Sequence, residues 1–210
     1  MELTEPVTAL TDYLLAVVTA WLAGLLFRSR ASHYSRGFWA IAFAALALAA
    51  ALGGTVHGFE AELARATLFR LWALTLILVG VASCAMLAGS AFATTGGAVR
   101  AGLLAFGVVK LLGFAVWIHA HPRFVYAVVD TAISFAVVAL LHLLRPKNSS
   151  SKWIVGGVVV SAAAAAVQSS GFALHRNLNH NDLYHLIQIA AMALYYRGVS
   201  RMEDAKRRND

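Results

Sequence analysis

The sequence predicts an all-α fold: a polytopic membrane protein whose residues 1–210 form a single bundle of seven transmembrane helices. Three observations lead there. Hydrophobic residues make up 60% of the chain and charged residues only 13%. Apolar runs recur at about the 20-residue length that carries a helix across a bilayer core. The polar breaks between them are short, which leaves no separate soluble domain.

The expected spans lie near residues 8–27, 37–58, 69–92, 101–119, 124–143, 153–174 and 183–199. The stretch before the first, "MELTEPVTALTDYLL", is acidic and lacks a basic leader and a small-residue cleavage site, so the first run is expected to remain as a span. The second and sixth contain "AALALAAALGG" and "VGGVVVSAAAAAVQSSG", whose small side chains let helix backbones approach closely in lipid. The fourth and fifth carry Lys110 and Asp130 within apolar sequence. The seventh opens with "HRNLNHNDLYHLIQ", unusually rich in protonatable groups for a membrane segment.

Basic residues divide unevenly between the two sets of connections. Arg28, Arg30, Arg36, Arg100, Arg145, Lys147, Lys152, Arg197, Arg201, Lys206, Arg207 and Arg208 fall on one side. Arg65, Arg70, Arg123 and Arg176 fall on the other, with Glu2, Glu5, Asp12, Glu60, Glu62 and Asp182. The positive-inside rule then predicts an external N-terminus and a cytoplasmic C-terminus, with a bacterial inner membrane as the expected location. Trp39, Trp153, Trp72 and Trp117 fall near span ends, as an aromatic belt would require. The net charge of +7 is spread beside the spans, which points to topology rather than to a nucleic-acid partner. The single cysteine, Cys84, excludes an intrachain disulfide and a cysteine-based zinc site.

With the directions assigned, His57, His119, His121, His175, His180 and His185 gather at the outer side, while His33 and His142 lie near the cytoplasmic side. Gly53 sits one turn deeper than His57 on the same face, leaving space for a ligand or for another helix. On the seventh helix Asn181, Asp182, His185 and Gln188 have spacings that share a face. Imidazole and carboxylate groups of this kind can ligate zinc while leaving one position for water. His57 and His185 form the natural pair, with His180 or Asp182 as the further ligand. Asp130 has two readings: an ion pair with Lys110 joining adjacent helices, or a carboxylate orienting one of the imidazoles.

Seven spans, His57 late in the second and "NDLYHLIQIAAMALYYRG" in the seventh resemble the CREST superfamily of alkaline ceramidases and progestin and adiponectin receptors. Tyr184, His185, Ala190, Ala191 and Gly198 follow its seventh-helix pattern. The resemblance implies zinc held by one histidine of the second helix and a histidine pair of the seventh, in a lipid amide hydrolase or a receptor. The first member of that pair falls on Asn181, and the family's serine before the second-helix histidine falls on Gly53.

The expected function is zinc-dependent hydrolysis of lipid amide or ester bonds. Zinc would lower the pKa of a bound water to about 7, with Asp182 or Asp130 as proton acceptor. Membrane lipids are the expected partners. One alternative is a non-enzymatic receptor or sensor whose histidines are structural or titrate near pH ~6.5. Another is a haem protein using His57 and His185 as axial ligands.

Overall fold

The computed structural model describes residues 3–29, 33–175 and 178–205. Glu2, Arg30, Arg176, Lys206, Arg207 and Arg208, which contribute to the charge asymmetry, lie outside the described residues. Within them the chain is helical: α1 (Pro6–Ser29), α2 (Tyr34–Phe59), α3 (Arg65–Thr94), α4 (Gly97–Ala120), α5 (Phe124–Leu143), α6 (Ser151–Ser170) and α7 (His180–Val199). No strand occurs among the described residues, only an isolated bridge between His175 and Leu178.

Local chemistry accounts for the helix ends. Pro6 opens α1, where its missing N–H costs no helical hydrogen bond. The sixth helix stops at Ser170 instead of continuing to residue 174, because Gly171 takes a left-handed conformation (φ 69°). The seventh starts at His180 rather than at 183, because Asn179 and Asp182 form a capping box at that point.

Among the described residues six helices are long and apolar enough to cross a membrane, and α7 is the exception. Its first half carries His180, Asn181, Asp182, His185 and Gln188. Packing against α6 and α1 shelters this polar half. Large apolar side chains, including Leu10, Val17, Trp21, Leu48, Val109, Val116 and Val159, cover the outside of the bundle. That surface suits lipid rather than water.

The helices form a ring in the order α1, α2, α3, α5, α6, α7, with α7 closing on α1; α4 lies outside, mainly against α3. At the end holding the α2 start and the α7 end, the ring is filled by Trp39, Phe43, Leu26, Ile154 and Tyr195. Trp39 therefore does not serve as an interface anchor: it is fully buried, its ring 5.2 Å from that of Tyr195. A Cβ on Gly157 would lie 2.5 Å from the Tyr195 ring, so glycine is what lets α6 approach it. The chain returns to this end after α7. The Asp204 carboxylate accepts from the N–H groups of Tyr34 (2.8 Å) and Ser35 (2.9 Å), capping α2 from 170 residues away in sequence.

Candidate functional site

At the opposite end, where α1 and α7 begin and α2 finishes, the fold gathers polar groups. Asn179 Oδ1 accepts from the N–H groups of Asn181 (2.8 Å) and Asp182 (3.3 Å), while Asp182 Oδ2 accepts from the Asn179 N–H (2.7 Å). Asp182, expected as a proton acceptor in catalysis, is thus the reciprocal cap of α7. It is 1% exposed.

His185 lies almost one turn further along α7, buried against α1. Its Nδ1 is 3.0 Å from Thr11 Oγ1 and its Nε2 is 3.1 Å from Asp12 Oδ1. The Thr11 hydroxyl donates to the Thr8 carbonyl (3.0 Å), so Thr11 can only accept from the imidazole. The ring hydrogen therefore belongs on Nδ1, and one proton is shared between Nε2 and Asp12. Both ring nitrogens are committed to α1.

The space beside Gly53 is filled by this same carboxylate. A Cβ on Gly53 would lie 3.4 Å from Asp12 Oδ1, and one on Gly54 would lie 2.9 Å from Asp12 Cβ. Gly54 thus lets α1 bring the carboxyl group of Asp12 into the ring. His57 is engaged nearby, with Nδ1 3.0 Å from Glu5 Oε2. Backbone hydrogen bonds from Thr4 to the Gly58 carbonyl and from Glu5 to the His57 carbonyl join the two helix ends (3.0 and 3.2 Å).

These groups head a cavity of about 670 Å³ inside the ring. Asp12, His57, His180, Asn181 and His185 line it at this end; Leu46, Val79, Met86, Phe135, Val158 and Met192 line its length. Three of the lining residues are exposed: Ala132 and Ala136 of α5 and Ala162 of α6. The cavity therefore opens sideways, between α5 and α6, through small side chains.

The other expected site residues lie elsewhere. Asp130 meets Lys110 rather than an imidazole: Lys110 Nζ is 2.5 Å from Asp130 Oδ1 and 3.1 Å from Ser83 Oγ, and Ser83 donates to Asp130 Oδ2 (2.7 Å). This is the interhelical ion pair between α4 and α5. His121 stacks on Trp117, with ring centroids 4.3 Å apart, and neither it, His119 nor His175 lines the cavity. His142 is buried at the far end between Ser90 and Ser151.

The donor set can be compared with zinc on these positions. Zinc needs several deprotonated donors converging on one point. Among the described residues no three His, Cys, Asp or Glu side chains are so arranged, and His185 has no uncommitted ring nitrogen. The set as arranged does not fit a zinc centre built on His57, His185 and His180. Axial ligation of haem by His185 meets the same obstacle.

Asp12, Thr11 and Glu5 are the site residues that sequence reasoning missed. The signal for Asp12 was available: it lies within the first expected span, where an ionisable side chain needs a named partner. By sequence it stands only among the acidic residues of the outer side. No curated protein and no solved structure matches the chain. A family model does match residues 7–204, nearly the whole length, and the chain belongs to that family, DUF6962, a family of unknown function.

Proposed function

We propose that the protein is a multi-pass membrane protein that binds a lipid in its central cavity, with the acyl chain along the apolar length and the polar head at Asp12, His185, His57 and Asn181. The observation that carries this reading is the shape and chemistry of one space. A 670 Å³ cavity is apolar along its walls, polar at one end, and open between α5 and α6 on the side that lipid would cover. A chain can slide in from the bilayer while its head remains near the membrane surface.

This is the receptor-like alternative among the sequence expectations, with the histidines used for structure and head-group contact. The reading also draws on the resemblance to the CREST superfamily, carried by His57 late in α2 and His185 early in α7. Charge supports the orientation: Arg28, Arg36, Arg100, Arg145, Lys147, Lys152, Arg197 and Arg201 lie toward the end that we read as cytoplasmic.

Trp72 lines the cavity and reports on its contents. A bromine-labelled long-chain alcohol, titrated onto the purified protein in bromine-free detergent, should quench tryptophan fluorescence with a saturable component that Trp72→Phe removes. Quenching that rises linearly and is the same in both proteins would defeat the proposal.

A further inference from the structure

We infer that the amphiphile held in the central cavity has a head group that donates hydrogen bonds and carries no negative charge, a long-chain alcohol or amine being the simplest example. The inference rests on the lipid-binding reading above and adds the chemistry of the head.

The first ground is the charge of the lining. Among the described residues no lysine or arginine lines the cavity, whereas Asp12 does. Asp12 is 4% exposed, and its Oδ2 has no hydrogen-bond partner among the described residues. A buried carboxylate oxygen without a partner is costly, and an N–H or O–H of a bound head would satisfy it. A carboxylate or phosphate in the same place would set only acceptors against that oxygen and bring a buried negative charge with no Lys or Arg among the described lining residues to offset it.

The second ground is that positive potential from Lys110, Arg123 and the start of α7 is engaged elsewhere. Lys110 is held by Asp130 and Ser83. The Arg123 guanidinium lies 5.9 Å from the centre of the Tyr126 ring, and Arg123 does not line the cavity. The start of α7 would otherwise offer free N–H groups to an anion. There Asn179 accepts from two of them, and the Asp182 carboxylate occupies the first turn. Glu5, against His57, adds a further acidic group at the same end.

The test uses the full chain and four brominated amphiphiles of identical chain length, ending in a hydroxyl, a primary amine, a carboxylate or a phosphate. Saturable Trp72 quenching should place the alcohol and the amine at least ~10-fold tighter than the two anions. In Asp12→Asn, with folding checked by circular dichroism, the amine should lose its advantage over the carboxylate. A carboxylate or phosphate that binds wild type as tightly as the alcohol and amine overturns the inference while leaving lipid binding intact. Absence of saturable quenching by all four overturns the lipid-binding reading, and the inference with it.

Discussion

Nε2 of His185 lies 3.1 Å from Oδ1 of Asp12, so one proton bridges the last helix of the ring to the first. The contact closes the bundle at the seam where α7 meets α1 and puts a carboxylate at the head of the cavity. It unites structural and functional roles in one pair of side chains, because the groups that hold the seam also face the cavity.

Removing one partner of this pair should be expensive. Asp12→Ala leaves a buried imidazole facing an apolar methyl group, and losses for breaking buried pairs run to about 3–5 kcal/mol. The thermal midpoint in detergent should fall well below that of wild type. Asp12→Leu combined with His185→Leu should recover part of the loss. A double variant whose loss equals the sum of the single losses would show that the two side chains are not coupled.

The glycines of α2 can be separated from those that merely occupy helix surface. A Cβ at Gly54 would come within 2.9 Å of Asp12 Cβ and 3.2 Å of the Ala9 carbonyl oxygen, forcing α1 outward. Gly54→Ala should therefore destabilise by about 1–3 kcal/mol and weaken Trp72 quenching. At Gly24 nothing lies within 4 Å, and Gly24→Ala should be neutral or stabilising by up to about 1 kcal/mol. Equal midpoints for the two variants would refute this account of close approach.

The ion pair between α4 and α5 makes a distinct prediction. Lys110 and Asp130 have side chains only 9% and 4% exposed, so Lys110→Met alone strands a buried carboxylate. The single variant should unfold at a much lower temperature than Lys110→Met with Asp130→Leu. Although Ser83 touches both this pair and the cavity, neither Lys110 nor Asp130 lines the cavity, so the double variant should still bind the brominated alcohol. Loss of saturable quenching in a folded double variant would instead place the pair in the binding site.

Access can be tested at the opening. Ala162 is both exposed and part of the cavity wall, so Ala162→Trp narrows the gap between α5 and α6. The rate at which the brominated alcohol reaches Trp72 should fall by roughly tenfold or more, a modest barrier of about 1.4 kcal/mol. An unchanged rate would mean that the chain enters by another route.

Much of the helical plan was legible because it depends on local properties. Span length and the polar breaks act within a few residues; Gly171 and the Asn179–Asp182 cap are equally local, and overlooking them puts the end of α6 four residues late and the start of α7 three residues late. The Lys110–Asp130 pair was also within reach, as two costly charges in neighbouring spans have few other ways to be satisfied. Trp39 was misread because position near a span end does not reveal whether a ring faces lipid or the ring of Tyr195.

The sequence by itself determined an all-helical chain of seven segments, all read as spans, with polar residues concentrated at the start of the seventh; among the described residues the structure has six helices long and apolar enough to cross a membrane. Only the tertiary structure decided which groups those polar residues meet. Thr11 and His185 are 174 residues apart, and their contact depends on how the helices close into a ring and how near the α2 glycines let α1 approach. Hydrophobic periodicity sets the length and faces of a helix, whereas the partner of a buried proton is chosen by packing, which no local pattern encodes.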